Sequence, residues 1–92
     1  MKANYIVCYD ICDGGRLTKV YKHLKERGVH LQYSVFHCRL TWPELLELKT
    51  ILKEEIDEKC DDIRIYPLPG NMDVVVMGCG DRVPEGVEIF LP

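Results

Sequence analysis

Residues 5–11 (YIVCYDI) are apolar on both alternating sets of positions until Asp10 interrupts them. Such a run reads as a β-strand, and one covered on both faces predicts a central position in a sheet. Asp13, Gly14 and Gly15 then break the pattern; Asp13 suits a helix N-cap and the glycines permit a sharp turn. Over residues 16–27, Leu17, Val20, Tyr21 and Leu24 recur at helical spacing, and Gly28 is placed to end that helix in the left-handed conformation. Residues 31–40 (LQYSVFHCRL) are extended by composition and fit one strand, or two with a bend near 34–37. Pro43 and Glu44 mark a second helix start just after Thr41 and Trp42, and Leu45, Leu48, Leu52 and Ile56 form its apolar stripe, with fraying expected near Lys59. Residues 63–68, 74–79 and 87–91 read as further strands, separated by a Pro69-Gly70-Asn71 turn and a polar loop over 81–86. The order predicts an α+β layer arrangement in one domain, with both helices on one face of an antiparallel sheet. An apolar second face would then be left open, which favours a second copy of the chain as its cover.

Length sharpens that expectation, because a 92-residue chain removes only about two thirds of its accessible surface from water on folding. A composition of 47% hydrophobic and 29% charged residues is that of a globular protein, which excludes a disordered chain. No apolar run reaches the length of a membrane-spanning helix, and the N-terminal residues lack the pattern of a secretion signal. Five cysteines, an odd number with no C-x-x-C pair, favour reduced thiols and a cytoplasmic location. A metal site built from cysteines with His23, His30 and His37 is disfavoured, since no pair has the short spacing of a zinc knuckle. The net charge of −3 argues against a strongly basic nucleic-acid binder, but it averages over two unlike segments. Residues 16–30 carry five basic side chains (Arg16, Lys19, Lys22, Lys25, Arg27) against Glu26, whereas 44–62 carry eight acids against three lysines. Two solvated helix faces account for such runs; an asymmetric surface, basic on one side, is the functional alternative.

Asp10 is the first candidate for chemistry. An unpaired carboxylate buried in a strand costs several kcal/mol, so it is normally paired, metal-bound or turned to a cleft at a strand end. The plain alternative is an aspartate that ends the strand and caps the next turn. Tyr9 is either core or a surface for base stacking; Ser34 either donates to a phosphate or satisfies a bent strand. Arg16, Lys19, Lys22 and Arg39 are the candidate phosphate contacts, and His30 and His37 fit surface or interface positions better than general-base roles.

Tyr9-Asp10-Ile11 followed by Asp13 and a basic helix, then Gln32-Tyr33-Ser34-Val35-Phe36 and Cys38-Arg39-Leu40, resembles the small CRISPR-associated endoribonuclease family, the dimeric partner of the spacer-acquisition integrase. The likeness spans nearly the whole chain in length and element order. It implies a ferredoxin-like β-α-β-β-α-β fold with extra C-terminal strands, the C-terminal strand pairing with the partner protomer of a homodimer, and residues 31–40 split into two short strands. It further implies a metal-dependent endonuclease on RNA or double-stranded DNA, with Asp10 as the catalytic, metal-binding aspartate, Mg²⁺ (or Mn²⁺) as cofactor, and Tyr9, Ser34 and Phe36 lining the cleft. Its alternative implication is a non-catalytic nucleic-acid-binding scaffold that bridges integrase dimers. With one such aspartate per chain, a two-fold axis near Asp10 would supply the second carboxylate. The chain departs from the family pattern at Gly14, Gly15 and Leu17, where relatives place an acid and arginines, and at His30, where a stronger base is usual.

Overall fold

The computed structural model describes residues 1–70 together with the strands Val74–Met77 and Val87–Phe90. Eight elements follow in the order β1 (Ala3–Asp10), α1 (Gly14–Arg27), β2 (Gly28–Gln32), β3 (Val35–Leu40), α2 (Trp42–Glu55), β4 (Asp62–Leu68), β5 (Val74–Met77) and β6 (Val87–Phe90). The first four of the strands to form a sheet lie in the order β2-β3-β1-β4, all antiparallel, which is the ferredoxin-like arrangement. β5 and β6 pair in parallel as a separate two-stranded sheet. Cys79 and the polar loop over 81–86 lie outside the described residues.

Local sequence explains each boundary. Asp13 caps α1 by accepting from the backbone N–H of Arg16 at 2.9 Å. Thr41 and Glu44 form a reciprocal capping box at the start of α2, with Pro43 in the first turn. β2 and β3 are separate strands, joined by a turn at Tyr33 and Ser34 in which Ser34 adopts a φ of 69°. The turn meets the expected 34–37 window at its first residue, Ser34, and begins one residue before it. The Ser34 carbonyl accepts from the Tyr9 backbone N–H at 3.1 Å, tying the turn to the centre of the sheet.

Gly28 corrects one expectation. It caps α1 in an extended conformation and opens β2 directly, so no left-handed residue ends the helix. Its glycine is required by close approach: a Cβ there would stand 2.5 Å from the His37 carbonyl oxygen and 2.6 Å from Cys38 Sγ. Backbone on the facing strand cannot retreat without breaking the β2–β3 ladder. Gly28→Ala is therefore expected to lower stability by about 2 kcal/mol, read by urea unfolding. An unchanged midpoint would show that the two strands separate freely.

The core lies between the helices and one sheet face. Val20 and Leu24 of α1 and Leu45, Leu48 and Leu52 of α2 pack on Tyr5, Val7, Tyr9, Phe36, Cys38 and Leu40. β1 is central in strand order, as its apolar run predicts, but the helices cover only its Tyr5–Val7–Tyr9 side. The alternate set, Asn4, Ile6 and Cys8, is half-buried and ends in exposed Asp10. It shares its open face with Val35 and Arg39 of β3 and with Arg64 and Tyr66 of β4.

Candidate active site at the end of the central strand

Asp10 is the last residue of β1 and sits directly opposite Asp62, the first residue of β4. Facing positions on antiparallel strands hold their Cβ atoms about 5 Å apart, and like charges so placed repel. Asp62 is partly compensated by Arg64, whose Nε lies 3.0 Å from Asp62 Oδ2. Hydrogen bonds to Tyr66 and Asp62 push the Arg64 pKa further up, so the guanidinium is charged at all working pH values. Asp10 makes no ion pair or side-chain hydrogen bond among the described residues. Two carboxylates, one without a partner, therefore meet on the open face of the sheet. Oxygen donors of this kind suit a hard divalent cation. Asp62 is thus an acid facing Asp10 within one chain, in addition to the second Asp10 that a two-fold axis would bring.

The other predicted residues are distributed around the sheet. Tyr9 alternates with Asp10 and points the opposite way, into the helix-covered core, where its ring lies 6.1 Å from that of Phe36. Burial, with Tyr21 and Tyr33 nearby, raises the Tyr9 phenol and keeps it neutral. Tyr9 also lines a 240 Å³ cavity with Leu17, Thr18, Tyr21, His30 and Tyr33 on that helix side. Phe36 is fully buried between Tyr9, Tyr21 and His30. Ser34 serves the β2–β3 turn. Arg39 is exposed on the open face opposite Asn4, six residues along β1 from Asp10 and so about 20 Å away. Lys19 and Lys22 are exposed on α1, across the sheet from Asp10's face. His37 is buried, and its Nε2 lies 3.0 Å from Asn4 Oδ1; burial and then Arg39 lower its pKa, so the ring is neutral.

A family model described as CRISPR associated protein Cas2 matches residues 3–74. The chain belongs to the Cas2 family. It is 54% identical over 90 residues to the CRISPR-associated endoribonuclease Cas2 2 of Thermodesulfovibrio yellowstonii, covering 98% of this chain and 99% of that one. It is 38% identical over 77 residues to the CRISPR-associated endonuclease Cas2 2 of Thermus thermophilus, covering 84% of this chain and 86% of the relative. Among solved structures, a hypothetical protein TT1823 from Thermus thermophilus superposes with a TM-score of 0.81 at 38% identity over 92% of this chain and all of that one. Streptococcus pyogenes Cas2 gives a TM-score of 0.69 at 37% identity, over 74% and 88% of the two chains.

Within this Cas2 fold, Arg16 has a structural task that the sequence did not announce. Its Nε and Nη2 donate to the two oxygens of buried Asp61 at 2.7 and 3.2 Å. Asp61 also accepts from the backbone N–H groups of Cys12 at 2.9 Å and Asp57 at 2.8 Å. The Arg16 guanidinium, helped by those amides, holds Asp61 well below the usual carboxylate range. One carboxylate thus clasps the loop after β1, the start of α1 and the loop before β4, which are the segments that position Asp10 and Asp62. Neither Asp61 nor Asp62 was singled out from sequence. Both lie within an eight-acid stretch, and only the pairing of β4 with β1 distinguishes them from their neighbours.

Proposed function

We propose that this chain is a Mg²⁺-dependent endonuclease of the CRISPR spacer-acquisition machinery, with Asp10 as its catalytic, metal-holding carboxylate. The observation that carries the reading is the exposed Asp10, without a side-chain partner among the described residues, facing Asp62 across the β1–β4 ladder. The relatives' names, endoribonuclease and endonuclease, support phosphodiester hydrolysis as the reaction. Asp10 and Asp62 would hold the ion, with Mn²⁺ as a substitute. When bound, it would lower the pKa of water and offset charge developing at the phosphodiester. Arg64, beside Asp62, would orient the nucleic-acid strand through a phosphate, and Arg39 would contact the backbone farther along the same face.

The half-buried Ile6, Cys8 and Val35 and the exposed Tyr66 give that face an apolar centre, which supports a homodimer covering part of it. A scaffold role beside the integrase is the second reading. It is favoured by the commitment of Arg16 to Asp61, which removes one candidate phosphate contact, and by the placement of Lys19 and Lys22 across the sheet from Asp10.

Cleavage and binding assays on single-stranded RNA and duplex DNA separate the readings. The nuclease reading predicts cleavage that a chelator abolishes and Mg²⁺ or Mn²⁺ restores. Both readings predict affinity that falls about tenfold or more between roughly 50 and 200 mM salt. Salt-sensitive binding without metal-dependent cleavage leaves the scaffold; salt-insensitive or absent binding contradicts both.

A further inference from the structure

Two steps past the last rung of the β1–β4 ladder, Cys12 follows Asp10 just as Cys60 precedes Asp62. The ladder ends there, and Cys12 in a bend and Cys60 in a turn come together just beyond the facing acids. Their sulfurs and an Asp61 oxygen all lie within 4.8 Å of one another. Both residues are exposed, and the Cys12 thiol donates to the Cys60 carbonyl.

The surroundings favour a covalent link over a metal. Asp61, the third potential ligand, already accepts four N–H donors, which fill the capacity of a carboxylate, and the Cys60 thiol lies 3.8 Å from its Oδ1. The guanidinium of Arg16 occupies the place a cation would take, with Nη2 3.3 Å from Cys60 Sγ. The same clasp ties the Cys12 loop to the Cys60 loop through Asp61. Rotation of two exposed side chains is the remaining motion.

We propose that Cys12 and Cys60 form a reversible intramolecular disulfide that fixes the loops flanking Asp10 and Asp62. The oxidant is a small-molecule disulfide of the glutathione class. One cysteine thiolate attacks it, releasing one small thiol and leaving a mixed disulfide; the second cysteine thiolate displaces the other small thiol and closes the bond. Both cysteines lose their protons and together two electrons, and the small disulfide is reduced to two thiols. The proposal is independent of the nuclease reading, because the bond itself is detected without any activity.

The test is to equilibrate the native full-length chain in graded mixtures of oxidised and reduced glutathione, alkylate the free thiols, digest, and map by mass spectrometry. The expected product is one Cys12–Cys60 linked peptide pair within a single chain, lost on adding dithiothreitol. It closes a long loop, so the oxidised form should melt at least about 5 °C higher than the reduced form. Cys12→Ser and Cys60→Ser should each remove that rise, whereas Cys8→Ser should retain it. Recovery of both residues alkylated at the oxidising limit would overturn the proposal. So would linkage of Cys12 to Cys8, Cys79 or another chain, or zinc retained by the native protein and lost in Cys12→Ser.

Discussion

Asp10→Asn is expected to reduce metal-dependent cleavage by at least about a hundredfold while leaving the fold intact. The substitution keeps the shape of the side chain and removes the charge that a hard cation needs. Its effect on stability should be small, because Asp10 is exposed and makes no ion pair or hydrogen bond among the described residues. Removing one of two facing like charges should, if anything, relieve the end of the β1–β4 ladder. The melting temperature should therefore stay within about 3 °C of the parent. Loss of cleavage with an unchanged melting temperature assigns the effect to chemistry. Cleavage that persists undiminished in the pure variant would place the catalytic centre elsewhere.

Asp61→Asn is expected to have the opposite profile, with a large loss of stability. Asp61 is buried and accepts two guanidinium and two backbone donors, so the variant leaves Arg16 without its counter-charge and an amide nitrogen facing donors. The melting temperature should fall by at least about 10 °C at neutral pH. The pH dependence follows from the direction of the shift. Arg16 depresses the folded-state pKa of Asp61, so its stabilisation is complete above the unfolded carboxylate value near about 4 and is lost as pH falls from there through the lower folded value. Parent and variant melting temperatures should accordingly converge on acidification below about pH 4 and stay far apart above it. A gap that is constant across that window would mean that packing, and not the ionised carboxylate, carries the clasp. Cleavage should fall in this variant as well, through displacement of the loops that set Asp10 against Asp62.

Where one residue's chemistry fixes its local conformation, the sequence was informative. Asp13, Thr41, Glu44 and Pro43 each signal a helix start, and the structure places caps or first turns at those positions. The apolar stripes of both helices point to the core as their spacing requires. Gly28 shows a limit. Gly28 ends α1 as its sequence position predicts, but the need for glycine there is the approach of β3, which no local pattern announces. The Tyr33–Ser34 turn was equally hard to place, because Ser34 takes a positive φ without the glycine or asparagine that usually marks one.

The candidate site divides in the same way. Asp10 stands out because a carboxylate in an apolar strand is anomalous on its own. Its neighbours depend on strand pairing between residues some fifty positions apart in sequence: Asp62 becomes its facing acid, Asp61 becomes a buried clasp and Cys60 meets Cys12. Tyr9 and Asp10 are adjacent in sequence yet lie on opposite faces, since side chains alternate along a strand. By sequence Arg16 is one more basic residue of a basic helix, and only the position of Asp61 shows where its charge is spent.

The most direct measurement is a crystal structure of the protein soaked in Mn²⁺, with anomalous scattering used to locate the ion. The account predicts a peak about 2.1 Å from oxygens of both Asp10 and Asp62 of one chain. An ion absent from Asp10, or Asp10 and Asp62 carboxylates turned into separate solvent regions with no peak between them, would contradict it.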